Sequence, residues 1–211
     1  MKPHPPHPQR QHGETLVGLL VGIALGMLVL AAGTQMLAQL LRGYRQALQD
    51  SHLQQDLHFA LDLMARELAN AQYVAQAWKT RSVSACNDPF CDAANDFQIS
   101  DNRIEFSLDR DHNGEQDNNE CLGYRVANGV LSMRTSCDSS GWQPLTDKTS
   151  AVATRLQAQL HCTSVQGWLQ RQLSLQLDAQ WPGDPSRQIQ LQRTVALHNR
   201  LPVAVQARYC P

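Results

Sequence analysis

Residues 12–41 read HGETLVGLLVGIALGMLVLAAGTQMLAQLL, and no charged side chain follows Glu14 until Arg42. From Leu16 to Gly33 nearly every residue is apolar or glycine. That is about the length a helix needs to cross a hydrocarbon core of roughly 30 Å, rising about 1.5 Å per residue. The stretch reads as a membrane-spanning helix. In front of it lies a polar leader, MKPHPPHPQRQHG, whose formal charges are Lys2 and Arg10. The positive-inside tendency keeps such a leader cytoplasmic.

A secretory signal is cut after its apolar run, so the mature protein loses the run. Here the candidate site lies before it: Gly13 closes the leader, and Glu14-Thr15-Leu16-Val17 opens the helix. This arrangement resembles the prepilin class of type IV pilins and type II secretion pseudopilins, in which a membrane peptidase cuts after that glycine and methylates the new terminal amine. The resemblance implies cleavage after Gly13, N-methylation of Glu14 and a helix at 14–41 that serves as membrane anchor and filament core. Two positions depart from the family pattern. The mature chain begins with Glu14 where an apolar residue is usual, and Gly18 stands where the family carries a glutamate. That glutamate is thought to pair, inside the bilayer, with the terminal amine of the neighbouring subunit, because an unpaired charge there is costly. Gly18 cannot make the pair, which implies a minor subunit suited to a filament tip, where no subunit lies ahead. A signal-anchor helix that is never cut is the alternative reading of the same residues.

The chain's 211 residues suffice for this helix and one domain of about 130 residues. A net charge of −1 gives no basic excess that would point to nucleic acid. Six cysteines, at 86, 91, 121, 137, 162 and 210, all lie beyond the apolar run, as expected for disulfides in an oxidising periplasm.

From 42 to 78 the helix is expected to continue as an amphipathic segment. Tyr44, Leu48, Leu53, Leu57, Leu61, Met64 and Leu68 recur at steps of three to five with polar residues between them. Upstream, Gly22, Gly26 and Gly33 read either as points of close approach for other helices in a filament core or as ordinary membrane-helix glycines. The segment HLQQDLHFALDLMARELANAQYV, residues 52–74, resembles the PilW branch of minor pilins, including the prepilin peptidase-dependent protein B family, where a similar FALDLMARELxxAxY follows the membrane helix. Read from the residues themselves, Leu57, Leu61, Met64 and Leu68 bury while Arg66 and Glu67 stay wet.

The head, 79–211, opens on KTRSVSACNDPFCDAANDFQ, a loop by composition. Cys86 and Cys91 flank Asn87-Asp88-Pro89 closely enough to pair with each other, with a zinc pair as the competing reading. Arg103 to Leu108 alternates as a half-buried strand with Ile104, Phe106 and Leu108 inward. The next stretch, DRDHNGEQDNNE at 109–120, matches the calcium-loop pattern D-x-[DN]-x-[DN]-G-x5-E at every specified position. Asp109, Asp111 and Asn113 offer side-chain oxygens on alternate residues, and Gly114 permits the sharp turn. Glu115 offers its carbonyl, Asp117 binds directly or through water, and Glu120 offers both oxygens. His112 faces outward and takes no part. Strands on both sides exclude a helix-loop-helix hand, so calcium is expected as a structural ion in a loop between strands, with a solvated acidic turn as the competing reading. The segment 87–120 holds ten acids against Arg103 and Arg110, a repulsion that a divalent cation relieves.

Asn128-Gly129 between YRVA and VLSMR signals a type I′ hairpin that sets Ala127 opposite Val130. Counting outward puts Cys121 opposite Ser136, so Cys121 and Cys137 are expected to bridge. The stretch NNECLGYRVANGVLSMRTSCDSSGWQPLTD again resembles the protein B family. Thr154–Cys162, Leu169–Trp181 and Gln188–Leu197 alternate apolar and polar residues, which predicts an antiparallel sheet. Pro182-Gly183-Asp184-Pro185 turns the second run into the third. Cys162 is left to pair with Cys210, tethering the C-terminal tail. From Ala153 onward six arginines face Asp178 and Asp184. They are scattered and have few aromatics beside them, so they read as a solvated sheet face and not as a nucleic-acid surface.

No nucleophile elbow, zinc-peptidase helix or phosphate loop is present, so no catalytic residues and no enzymatic activity are expected. Trp142 and Trp168 are read as core fillers. The fold expected is α+β and pilin-like: one long N-terminal helix, its membrane half followed by an amphipathic half packed on an antiparallel β-sheet. The expected boundaries are 1–13, 14–41, 42–78 and 79–211. The function implied by the resemblance is that of a minor pilin in the priming or tip complex of a type IV pilus. Its implied partners are the prepilin peptidase, other minor pilins, the major pilin and the membrane. It would sit in the inner membrane with a periplasmic head before entering the filament. A type II secretion pseudopilin, a signal-anchored periplasmic calcium-binding module, and DNA capture by the Arg-rich sheet are the competing readings.

Overall fold

The computed structural model describes residues 15–138 and 140–210. Gly13 and Glu14, the expected cleavage and methylation positions, lie outside the described residues. Helix α1 runs Leu16–Ala69, and the chain divides into two units after Leu48. In the first unit every described residue is exposed, and the helix is long and apolar enough there to cross a membrane.

In the second unit the remaining turns of α1 bury Leu53, Leu57, Ala60, Leu61, Met64, Ala65 and Leu68. These positions fall on one face because residues three and four apart stack along a helix. Tyr44 and Leu48, expected in the same stripe, are 64% and 42% exposed and belong to the first unit. Glu67 is not simply wet. It is half-buried and accepts a hydrogen bond from the Tyr124 phenol. The helix also ends earlier than the expected position near 78. Gln72 takes a left-handed backbone conformation, φ 58°, and its N–H donates to the Ser107 carbonyl at 2.7 Å, so the helical ladder cannot continue. One short turn of helix follows, α2, at Ala77–Thr80.

Among the described residues ten strands follow in three antiparallel groups. β1 (Arg81–Ser82) pairs with β2 (Ala85–Cys86). A five-stranded meander is built in sequence order from β3 (Phe97–Ser100), β4 (Arg103–Ser107), β5 (Cys121–Ala127), β6 (Val130–Arg134) and β7 (Trp142–Pro144). A second sheet sets β9 (Trp168–Trp181) between β8 (Val152–Val165) and β10 (Asp184–Pro202). The architecture is α+β. Ala127 pairs with Val130 around Asn128-Gly129, both at positive φ as a type I′ turn requires. β8 and β9 extend past the runs read from sequence, meeting at Gln166-Gly167, a second turn with both residues at positive φ.

One hydrophobic core joins α1 to both sheets, through Phe97, Ile104, Phe106, Leu122, Tyr124 and Leu131 on one side and Leu156, Leu173, Leu175 and Leu177 on the other. Strand β4 is not half-buried as expected: Glu105 and Ser107 are buried too. Glu105 tolerates burial because Arg103 and Arg134 both pair with it. Trp142 and Trp168 are only half-buried, so neither is a core filler. Trp142 instead lies under the Arg125 and Arg103 guanidinium groups, at 4.3 and 5.3 Å from the ring centre.

The polar heart of the head is Gln72, which is fully buried. Its side-chain nitrogen donates to the Phe90 carbonyl at 3.0 Å, its own carbonyl accepts from Arg81 Nη2 at 2.9 Å, and its Oε1 accepts from Arg171 Nη1. Arg171 is 3% exposed and stands in the apolar phase of β9, between Leu169 and Leu173. Burial, and secondarily the nearby Arg81 charge, lower its guanidinium to about 9. It remains charged at neutral pH: Nη1 donates to Gln72 and Nη2 to the Asn199 carbonyl at 3.0 Å, while the buried Nε has no partner among the described residues.

Candidate metal centre

The loop 109–120 is bounded by β4 and β5, adjacent strands whose pairing ends at Ser107 and Cys121. Backbone hydrogen bonds clamp both of its ends. Leu108 N–H donates to the Glu120 carbonyl at 3.2 Å, and Asp109 N–H to the Tyr73 carbonyl at 2.9 Å. On the far side Cys121 is bonded to Cys137, with 4.7 Å between their Cα atoms, and Cys137 N–H donates to the Asn118 carbonyl at 2.7 Å.

Within these clamps the sequence pattern folds on itself. Asp109 is 1% exposed, and its Oδ2 accepts from the Ala75 N–H at 2.7 Å and the Gly114 N–H at 3.1 Å. Gly114 has φ 80°, a conformation a Cβ would strain. Glu120 is fully buried at the end of a short 3₁₀ turn, Asn118–Glu120. Its Oε1 accepts from the N–H groups of Arg110 and Asp111, its Oε2 from Asp117 N–H at 2.9 Å.

The carboxylates of Asp109, Asp111 and Glu120 each present an oxygen within 4.8 Å of the others. Two ionised carboxylates at that spacing repel by on the order of 3 kcal/mol at an effective dielectric of about 20. The loop therefore holds a concentration of negative charge that its backbone donors offset only in part. Asn113 and Asp117 join through hydrogen bonds: the Asn113 amide nitrogen donates to Asp111 Oδ2 and to Asp117 Oδ2, both at 3.0 Å. The Asn113 side-chain oxygen accepts from the Glu115 N–H at 2.6 Å. The Glu115 side chain is exposed and is not among the clustered carboxylates. His112 is exposed and packs edge-on against Tyr73, 5.4 Å between ring centres.

Sequence reasoning did not find Tyr73 and Ala75, whose backbone groups seat Asp109. They lie more than thirty residues upstream, 34 for the Ala75 contact, and hold Asp109 through main-chain atoms. No side-chain signal could have marked them.

The other cysteine cluster is closed to metal. Cys86 and Cys91 are bonded to each other, and Asp88 between them is held by Arg81 at 2.7 Å, both side chains almost wholly buried. Cys162 is bonded to Cys210.

The fold and the loop together define a class of protein: an α+β chain with a disulfide-bonded head and a long apolar N-terminal helix that is a candidate membrane anchor. A family model described as prepilin peptidase-dependent protein B matches residues 46–197, and the chain belongs to that family, which is related to the type IV pilins. Comparison with curated proteins and with solved structures returned no match.

Proposed function

We propose that this chain is a minor pilin: a prepilin peptidase cuts after Gly13 and methylates Glu14, and the mature helix at 14–41 holds the subunit in the inner membrane. From there it joins other minor pilins, primes growth of a type IV pilus on which the major pilin assembles, and resides near the tip. The observation that carries this reading is the first unit of α1. A helix whose apolar side chains are exposed on every face, with none covered by another described residue, needs an apolar surrounding. A bilayer and then a bundle of like helices supply one. Family membership supports the peptidase step. The protein acts by assembly and carries out no catalysis.

Gly18 favours a tip position, since a subunit at the tip has no neighbour ahead whose terminal amine requires an acid. The test is the intact mass and N-terminal sequence of the protein purified from cells with and without their prepilin peptidase. A chain beginning at methylated Glu14 only when the peptidase is present is the expected result. A chain uncut in both strains would overturn it and leave a signal-anchored periplasmic module. Loss of piliation on deletion, with secretion intact, separates the pilus from a type II secretion system.

A further inference from the structure

We propose that residues 109–120 form a calcium site in which Asp109 and Glu120 are the fixed ligands and Asp111, Asn113 and Asp117 close around the ion. The proposal concerns the head alone and stands whether or not the chain is processed at Gly13.

Its first support is an orphaned atom. Asp109 is 1% exposed, and while its Oδ2 takes two backbone N–H groups, its Oδ1 is buried with no hydrogen-bond donor among the described residues. Buried carboxylate oxygens are ordinarily satisfied, and one left without a proton donor calls for a cation. The second support is that Asp111 and Glu120 bring their own carboxylate oxygens within 4.8 Å of the Asp109 group. Glu120 Oε2 accepts a single backbone N–H and keeps a further lone pair for metal, while Oε1 already accepts from Arg110 and Asp111.

The donor set selects the ion. Carboxylate and side-chain amide oxygens are hard ligands, which suit calcium or magnesium and disfavour zinc and copper. Magnesium demands near-ideal octahedral geometry and keeps several waters, whereas calcium accepts six to eight oxygens in an irregular shell. A loop offering oxygens from five residues of differing reach fits calcium.

The geometry also says what moves. The Asn113 amide nitrogen now bridges Asp111 and Asp117, standing where positive charge is wanted. Binding turns that amide over to present its oxygen and replaces two neutral donor contacts with one shared cation. The clamped ends, at Asp109 and at Glu120-Cys121, need not move. Because Asp109 Oδ2 holds the Ala75 N–H, occupancy is felt at the segment that follows α1.

The test uses the full chain in detergent with its disulfides intact, stripped with chelator, then titrated with calcium chloride by calorimetry and melted with and without calcium. One calcium per chain and a raised melting temperature are expected, with a smaller response to magnesium. Asp111→Asn, an exposed position whose change leaves the fold intact, should weaken affinity by at least about tenfold, since ligand charge sets affinity in such loops. Asp101→Asn removes an equal charge from the same acidic segment outside the loop and should leave affinity unchanged. Absence of both heat and melting shift in the unaltered protein overturns the proposal. So does an equal loss in Asp101→Asn and Asp111→Asn, which would reveal a diffuse acidic surface.

Discussion

The Tyr124 phenol on β5 donates a 2.6 Å hydrogen bond to Glu67 Oε2 on α1, tying the meander to the last turn of the helix. Tyr124 is fully buried, stacks on Phe106, and keeps its proton: burial first, and then the Glu67 charge, push its phenol far above the ordinary range. Arg110, at the start of the acidic loop, reaches the other Glu67 oxygen at 3.9 Å.

Replacing Tyr124 with Phe keeps the ring and removes only this bond. Hydrogen bonds to a charged partner contribute about 1.5–3 kcal/mol. Tyr124→Phe should therefore lower the urea midpoint of the oxidised protein with an unchanged slope, while Glu67→Gln, which still accepts, should cost less. Equal stability of Tyr124→Phe and the parent would show that the contact carries no weight.

Gln72 and Arg171 meet in the core with no carboxylate between them. Truncating either to Ala leaves a buried polar partner unsatisfied, at about 1–3 kcal/mol or more. Because each truncation damages the same contact, the double variant should be less destabilised than the sum, by about 1 kcal/mol or more. Strict additivity in a double-mutant cycle of unfolding free energies would refute the coupling.

Asp96 sets a pH dependence. It is 2% exposed, and burial, reinforced by Asp92 and Asp88 and opposed by the Ala93 N–H and the Tyr209 hydroxyl, raises its carboxyl to about 6. The folded chain thus holds a proton that the unfolded chain, titrating near 3.8, has released. This contribution to stability is complete below the unfolded value and is lost as pH rises through about 6. Between about pH 4 and pH 7.5 the melting temperature of the parent should fall relative to Asp96→Asn, whose amide does not titrate. Parallel curves for the two proteins would remove Asp96 as the source.

The Cys121–Cys137 bond closes a short span, 16 residues. By loop entropy its removal costs about 3 kcal/mol. The paired Cys121→Ser and Cys137→Ser variant should unfold at correspondingly lower denaturant, and its loop should bind calcium more weakly, since the bond anchors the residue after Glu120. Unchanged calcium affinity would show that the backbone contacts at Leu108 and Asp109 suffice to hold the loop.

What was legible in the sequence was local. The apolar run of α1, the register about Asn128-Gly129 and the alternation of β9 each follow from neighbouring residues. The oxygen-bearing positions of the acidic loop were legible for the same reason, being contiguous. What escaped depended on distant partners. Nothing in the side chain of Gln72 announces a left-handed residue; its conformation answers to Ser107 and Arg171. Arg171 broke the alternation of β9 without revealing that it was buried, and Glu105 read as the wet face of β4 until Arg103 and Arg134 enclosed it. Gln166-Gly167 carries a turn as tight as Asn128-Gly129, yet Gln is an uncommon residue at positive φ, so the turn went unmarked.

The bond between Cys162 in β8 and Cys210 closes a covalent ring that contains all of β9 and β10. Tension applied at the C-terminal end is therefore carried through sulfur into β8, and β10 cannot be peeled from β9 strand-first.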